Sequence, residues 1–128
     1  MIKRNTPELF VHDVDEAVRF YRDVLGFEVE GRAPEDSSQP AEWAMVKSGE
    51  VALMFGGKRT KPGSADRVVF YLAVDDADAT IEALRARGAA VEGPVDQSYG
   101  YREATVMDPN GYKLVFTAPV PAAQRAGA

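Results

Sequence analysis

An internal repeat is the feature that most constrains the fold of this chain. Residues 13–31 share their order of acidic, apolar and glycine positions with residues 75–93, which lie 62 positions later, and Gly49 falls on Gly111 at the same offset. Self-similarity on this scale is typical of two copies of one supersecondary unit. Because binding pockets often lie between adjoining units, we expect the functional site to draw on both repeats.

Length and composition exclude several classes of protein. With 128 residues, of which 45% are hydrophobic, the chain is expected to form one domain with a real core. A net charge of −5 disfavours a nucleic-acid partner, which requires clustered basic residues. No stretch has the character of a signal peptide or a membrane span, so we expect a cytoplasmic protein with no membrane partner. The chain has no cysteine and only one histidine, His12, which excludes disulfides, thiolate sites and multi-histidine metal sites.

The first repeat predicts a β-α-β-β-β module over residues 4–56. A strand at Thr6–His12 is followed by a helix that Asp13 or Asp15 caps and Gly26 ends. A polar segment with two prolines then predicts a mobile loop. Further strands are expected from residue 27 to 31, from 42 to 47 and from 50 to 55, with the loop at 33–41.

The second repeat predicts the same order over residues 67–117, after a linker at 57–66 and before a flexible tail at 118–128. Its helix is expected to be capped by Asp75 or Asp76, and Asp108-Pro109-Asn110-Gly111 predicts the turn before the last strand. The expected fold class is α+β, in which two βαβββ modules form a curved sheet around a central cleft.

Two local motifs carry a resemblance to a known family. They are Phe20-Tyr21…Leu25-Gly26-Phe27 after the first strand and Asp108-Pro109-Asn110-Gly111-Tyr112 before the last. With this architecture, the chain resembles the vicinal oxygen chelate superfamily over residues 6–117. That superfamily includes glyoxalase I, bleomycin-resistance proteins, fosfomycin-resistance enzymes and extradiol dioxygenases. The resemblance implies the glyoxalase/bleomycin-resistance fold and leaves the reaction open.

The resemblance also implies positions for a metal. Enzymes of the superfamily hold a divalent ion with His, Glu or Gln side chains from four strands, and these positions fall on Thr6, Leu53, Val69 and Val115. None of the four is a usable ligand for such an ion. We therefore expect no metal and no other cofactor, as in the metal-free, bleomycin-resistance-like members. His12, beside an acidic helix start, is expected to be exposed or to act as a cap.

Alternation along the strands predicts the lining of the cleft. Pairing Lys47 with Glu50 sets Glu42 opposite Phe55, and pairing Asp108 with Gly111 sets Arg102 opposite Thr117 on the cleft side. Large residues such as Trp43, Met45 and Met54 are then expected to pack under the helices. The predicted ligand-binding residues are Glu8, Phe10, Glu42, Leu53, Phe55, Val69, Tyr71, Tyr99, Tyr101, Arg102, Lys113 and Val115.

Two functions remain open. In the first, the protein binds a planar or amphipathic small molecule, an antibiotic or a metabolite. Tyr99-Gly100-Tyr101 resembles the Trp-Gly segment with which bleomycin-binding members stack on a planar drug, which implies a role in antibiotic resistance. In the second, it is a lyase or isomerase that uses Glu42 or Glu8 as base and Arg102 as oxyanion stabiliser.

Binding is favoured over catalysis because no acid and base are paired at a diagnostic spacing. Whether any reaction is catalysed stays open, and so does the identity of the ligand. Superfamily members of this length commonly complete the groove with a second chain, so we also expect a homodimer.

Overall fold

The computed structural model describes residues 1–57 and 68–125. Contacts along the backbone divide the chain into two compact units, Met1–Ser64 and Ala65–Ala128. Within the described residues, each unit holds one four-stranded mixed sheet with an α-helix packed on one face. The predicted α+β class with two βαβββ modules is confirmed. The linker expected at 57–66 lies outside the described residues, except for Gly57, which ends a strand.

The first unit follows the predicted order of elements. The Asp13 carboxylate caps its helix by accepting a 3.0 Å hydrogen bond from the Glu16 amide, and a π-helical turn at Phe20–Val24 extends the helix toward Gly26. Gly26 has a φ of 83°, a left-handed conformation that favours glycine. In the sheet order β1-β4-β3-β2, β1 is parallel to β4 and the other neighbours are antiparallel. The elements are β1 (Glu8–Val11), α1 (Val14–Arg19), β2 (Glu28–Ala33), β3 (Trp43–Ser48) and β4 (Val51–Gly57).

The second unit repeats this topology. Asp76 caps its helix by accepting a 3.0 Å hydrogen bond from the Ala79 amide, and Gly88, with a φ of 92°, follows the helix. The sheet order is β5-β8-β7-β6, in which β5 is parallel to β8. The elements are β5 (Val69–Ala73), α2 (Ala77–Ala86), β6 (Glu92–Asp96), β7 (Tyr101–Met107) and β8 (Lys113–Pro119).

The helix side of the first sheet carries residues that were expected on the opposite side. Leu53 and Phe55 are buried beneath α1, and the Phe55 ring lies 4.8 Å from the ring of the fully buried Tyr21. Trp43 and Met45 lie on the other face and are half-buried. The predicted faces of β3 and β4 are therefore wrong, because the Phe55 ring packs on Tyr21 of the π-helical turn, and this contact makes Phe55 rather than its neighbours the core position.

The hairpin of the first unit differs from the predicted one in register. Ser48 pairs with Val51 around a two-residue turn in which Gly49 has a φ of 56°, so Ala44 lies opposite Phe55. Glu42, expected opposite Phe55, precedes β3, and its carbonyl accepts a 3.4 Å hydrogen bond from the Gly57 amide at the end of β4.

The tail begins later than expected. Ala118 and Pro119 belong to β8, and Val120 is buried, with its amide donating a 2.9 Å hydrogen bond to the Gly100 carbonyl. A 3₁₀ turn at Ala122–Gln124 follows and is exposed. The prediction of a flexible segment from residue 118 is therefore wrong for Ala118 and Pro119, which belong to the second sheet, and for Val120, which is buried after it.

One side chain organises the loop between β2 and β3. The Arg32 guanidinium donates to the carbonyl oxygens of Pro34, Asp36 and Gln39, the last two at 2.9 and 2.5 Å, and to the Asp15 carboxylate at 3.3 Å. The Ala41 amide donates to the other Asp15 oxygen at 3.0 Å. The hydrogen bond from the Ala41 amide and the positive charge of the nearby Arg32 lower the pKa of Asp15. The loop expected to be mobile is thus tied to α1 and β2.

Candidate functional site

A cluster of tyrosines lies on the face of the second sheet that α2 leaves uncovered. Cross-strand pairing sets Tyr71 beside Val115, and Val115 beside Thr105, while Glu103 lies opposite Thr117. Paired residues of neighbouring strands share a face, so these side chains lie on one surface. We call this surface the tyrosine face and define it by Tyr71, Tyr99, Tyr101, Glu103 and Thr117.

The centre of the tyrosine face is a buried carboxylate. Glu103 is only 9% exposed, although it is an acidic residue. The Tyr99 hydroxyl donates a 2.6 Å hydrogen bond to Glu103 Oε1, and the Thr117 hydroxyl donates one of 2.9 Å to Oε2. Both carboxylate oxygens therefore act as acceptors, and each is held in a fixed position by a neutral donor.

Three tyrosines on the same surface as this carboxylate remain open to solvent, and one of them, Tyr99, bonds to it. Tyr71 is 63% exposed, Tyr99 59% and Tyr101 42%. The rings of Tyr99 and Tyr101 lie 6.1 Å apart at 42° to each other. The hydrogen bond to Glu103 raises the pKa of Tyr99 to about 12, and the neighbouring Tyr71 phenol adds to that shift. The Tyr99 phenol is therefore held in its neutral, donating form.

The turn before β8 determines which residues of β7 reach the tyrosine face. The Asp108 carboxylate accepts hydrogen bonds of 2.8 Å from the amides of both Asn110 and Tyr112, and the Asp108 amide donates to the Tyr112 carbonyl at 2.9 Å. Asp108 is therefore paired with Tyr112, not with Gly111 as expected. This extra residue shifts the register by one and exchanges the two sides of β7.

Arg102 consequently lies on the helix side of the second sheet, not among the ligand-binding residues. Its guanidinium donates two hydrogen bonds to Asp96, at 2.7 and 3.1 Å, and one of 2.8 Å to Asp78 of α2. These contacts raise the pKa of Arg102 and lower the pKa of Asp96. The predicted role of Arg102 as an oxyanion stabiliser is wrong in this geometry, because its donors are engaged by two carboxylates within the second unit.

The other predicted residues of the second unit lie on the same side as the tyrosine face. Val69 and Lys113 pair with each other at one end of the sheet and are exposed, and Val115 is buried between Tyr71 and Thr105 in the ladder. Sequence reasoning missed Glu103 and Thr105, which the shifted register brings to this surface. The hydrogen bonds to the Asp108 carboxylate set this register, and the Asp-Pro-Asn-Gly motif by itself does not specify them.

The first unit contributes a smaller set of the predicted residues. Glu8 and Phe10 lie on the face of the first sheet that α1 leaves uncovered, with Met54 opposite Glu8. The Glu8 carboxylate lies over Gly56, where an added Cβ would collide with it. Leu53 and Phe55 are absent from this face because they lie under α1.

Glu42 and His12 lie near the N-terminal end of α1 in the first unit. Both line a cavity of about 470 Å³ together with Asp13, Pro40 and Ala41. The Glu42 amide donates a 2.8 Å hydrogen bond to the Ala33 carbonyl, which closes the loop before β3. Glu42 and Glu8 thus occupy different surroundings within this unit. His12 is exposed, which agrees with one of the two roles expected for it.

The positions that the resemblance implies for a divalent metal do not form a ligand set. Val69 and Val115 are apolar, and Leu53 is buried beneath α1, so β4 presents Ala52 and Met54 in its place. These residues do not suit hard or borderline divalent ions. Within residues 1–57 and 68–125, no three His, Asp or Glu side chains come close enough to hold a metal ion. The residues present therefore do not fit the metal of the superfamily's enzymes.

A family model and a relative both match most of this chain. The family model of the Glyoxalase/Bleomycin resistance protein/Dioxygenase superfamily matches residues 3–116. A lactoylglutathione lyase of Haemophilus influenzae is 34% identical over 119 residues, which cover 84% of this chain and 86% of that protein.

Two solved structures extend the comparison. The bleomycin-binding protein of Streptomyces verticillus, solved with copper(II)-bleomycin, has a TM-score of 0.72 and 27% identity, covering 94% of this chain and 100% of that one. TnmS3, an antibiotic binding protein from Streptomyces sp. CB03234, has a TM-score of 0.70 and 27% identity, covering 94% of this chain and 99% of that one.

In the described part of the chain, no helix has the length and apolar character needed to cross a membrane.

Proposed function

Because the chain belongs to the glyoxalase/bleomycin resistance protein/dioxygenase superfamily, we propose that it is a metal-free small-molecule-binding protein whose ligand packs against the tyrosine face. The ligand is a planar or amphipathic compound, an antibiotic or a metabolite. Antibiotic-binding relatives of similar fold support this class of function. The observation that carries the proposal is the exposure of three tyrosine rings on the same surface as one buried carboxylate.

The chemistry of the tyrosine face suits a planar ligand. Aromatic rings pair by offset or edge-to-face contact, and such pairs add roughly 0.5–1.5 kcal/mol beyond the burial of area. The Tyr99 and Tyr101 rings lie at 42° to each other rather than stacked in parallel, and both are exposed, so part of their aromatic surface is available to a ligand. Exposed apolar groups gathered on one surface also favour a binding role, since scattered exposure needs no such explanation.

The enzymatic alternative requires Arg102 as the hydrogen-bond donor to an oxyanion. Arg102, its oxyanion stabiliser, is bonded to Asp96 and Asp78 on the other side of the sheet. Glu8 and Glu42 remain the candidate bases of this alternative. We therefore propose ligand binding rather than catalysis. We also propose that the protein is cytoplasmic.

Association into a homodimer is part of the same proposal. Val95 of β6 and Met107 of β7 are exposed apolar residues of the second unit, and the pairing of Val95 with Glu103 and of Met107 with Lys113 sets both on the side of the tyrosine face. A second copy that covered such residues would also enclose a ligand on the tyrosine face, which is how a shallow surface gains the concavity of a binding site.

Native mass spectrometry of the purified protein tests the proposal first, by searching for a co-purified ligand. Calorimetric titration with 2-naphthylmethanol, a neutral planar probe, tests it independently. We expect binding by the wild-type protein and at least about tenfold weaker binding by Tyr71→Ser and Tyr101→Ser, since each loses an aromatic contact. Val29→Ser, at an exposed apolar position of β2 in the first unit, is the matched control and should bind as the wild type does. Equal binding by all four proteins would exclude the tyrosine face as the site.

A further inference from the structure

Glu103 is a buried acidic residue, and within residues 1–57 and 68–125 only uncharged side chains donate hydrogen bonds to its carboxylate. Its carboxylate accepts hydrogen bonds from two neutral hydroxyls, those of Tyr99 and Thr117. No lysine, arginine or histidine of the described residues forms an ion pair with it, whereas Arg102, its neighbour in sequence, is shared by two aspartates. A buried carboxylate is costly unless a positive group or several donors compensate it.

The two hydroxyls leave part of the capacity of this carboxylate unused. An ionised carboxylate offers about four lone-pair sites, so about two remain after Tyr99 and Thr117 have donated. Lys113 is the cationic residue of the same face within β8, but it lies four residues from Thr117, about 13 Å along the strand. The unused sites therefore lack a donor from the sheet itself.

The rings that share this surface with Glu103 favour the same kind of partner. A cation within about 6 Å of an aromatic ring centre is attracted to the face of the ring. Tyr71, Tyr99 and Tyr101 are all exposed, and the Tyr71 phenol lies near enough to affect the pKa of Tyr99. A positive group at the edge of the Glu103 carboxylate would thus meet both a fixed anion and aromatic faces.

We infer that the ligand of the tyrosine face carries a cationic group, such as an ammonium, a guanidinium or an amidinium, which binds beside the Glu103 carboxylate. The planar body of the same ligand packs on the tyrosine rings. This inference rests on the proposed function and adds to it the charge of the ligand and the residue that selects that charge. Tyr99 and Thr117 act as positioning residues, since they hold the two oxygens of the carboxylate in place.

Three probes of one shape and different charge test the inference. They are 2-naphthylmethylammonium, 2-naphthylmethanol and 2-naphthoate, titrated calorimetrically into the wild-type protein at neutral pH and at moderate salt. We expect the ammonium to bind at least about tenfold more tightly than the alcohol, as for a charge-assisted hydrogen bond, and the carboxylate to bind most weakly. Equal affinities for the ammonium and the alcohol, or tightest binding of the carboxylate, would overturn the inference and leave the proposed function standing. Failure of all three to bind at millimolar concentration would overturn both.

A pair of charge-neutralising variants tests the role of Glu103 itself. Glu103→Gln should reduce the preference for the ammonium over the alcohol to within about twofold, because it removes the anion that attracts the charge. Glu82→Gln, on the exposed side of α2, removes the same charge elsewhere and should keep the wild-type preference. Loss of the preference in both variants would show that net charge is the cause, and its retention in Glu103→Gln would show that another group selects the cation. Either result overturns the inference. If Glu103→Gln fails to fold, the titration of the three probes into the wild-type protein still tests the inference.

Discussion

Glu103 lies opposite Thr117 across β7 and β8, and the Thr117 hydroxyl donates a 2.9 Å hydrogen bond to its carboxylate. This contact exists only in the register in which Asp108 pairs with Tyr112. A shift by one residue would replace Glu103 with Ala104 or Arg102 on this surface. The chemical character of the tyrosine face therefore depends on one turn at the far end of the hairpin.

Replacement of Arg102 should affect stability and leave ligand binding intact. Arg102→Met removes three hydrogen bonds to Asp96 and Asp78 at a side chain that is only 11% exposed. We expect a lower urea midpoint and unchanged affinity for 2-naphthylmethanol.

Arg22→Met is the matched control for this prediction, because Arg22 pairs with the adjacent Asp23, and both side chains are about half exposed. Its urea midpoint should stay close to that of the wild type, as expected for a surface pair. A loss of affinity in Arg102→Met without loss of stability would return Arg102 to the binding site.

The Tyr99 phenol should titrate about two pH units above an ordinary tyrosine. Its pKa is raised to about 12 by the bond to Glu103, from a reference value near 10. NMR of protein with ¹³C-labelled tyrosine follows this titration, and Tyr99→Phe assigns the signal. In Glu103→Gln the pKa of Tyr99 should fall toward 10, because the acceptor is no longer an anion.

The same shift determines how stability depends on pH. The folded state holds the Tyr99 proton more tightly than the unfolded chain does, so this contribution is complete below pH 10 and is lost as the pH rises through about 12. Unfolding in urea at pH 9 and pH 11 should show a larger loss of stability for the wild type than for Tyr99→Phe. Equal losses would mean that the phenol is not held by Glu103.

Phe55 should behave as a core residue rather than as part of a binding surface. Phe55→Ala removes a fully buried ring that packs on Tyr21, and we expect a loss of about 3–5 kcal/mol in the free energy of unfolding. Val51→Ala, at the exposed start of β4, should cost less than about 1 kcal/mol. Urea denaturation distinguishes the two, and similar small losses would support the predicted, ligand-facing position of Phe55.

Light scattering at micromolar concentration should give the mass of a dimer. A biological interface of this kind should bury more than roughly 1,000 Å² in total. Val95→Lys and Met107→Lys, each at an exposed apolar position, should shift the protein toward the monomer if these residues lie in the contact. A monomeric wild type would contradict the expected homodimer.

The order of elements could be predicted from the sequence because local signals determine it. Asp13 and Asp76 cap the two helices through their own carboxylates, and Gly26 and Gly88 follow in left-handed conformations. These signals act within a few residues, and they repeat in both halves of the chain. The motifs that carried the resemblance to the superfamily lie in the same local segments.

The faces of individual strands could not be predicted in the same way. β4 begins Val-Ala-Leu-Met-Phe, which is apolar on both sides, so alternation offers no difference in polarity to choose between them. The contact between Tyr21 and Phe55 makes that choice, and it is a tertiary contact. In β7 the deciding contacts are the hydrogen bonds from two amides to the Asp108 carboxylate, whose geometry a turn motif alone does not specify.

The Arg32 side chain has a consequence for how the loop between β2 and β3 can vary. It binds this segment through main-chain carbonyl oxygens of Pro34, Asp36 and Gln39, so it recognises the course of the backbone rather than the identity of the residues. The exposed side chain of Gln39 can therefore be exchanged for others, while the arginine itself cannot become a lysine, which lacks the fork of several donors. The loop can therefore vary in its exposed side chains as long as the course of its backbone, and with it the position of these carbonyl oxygens, is kept.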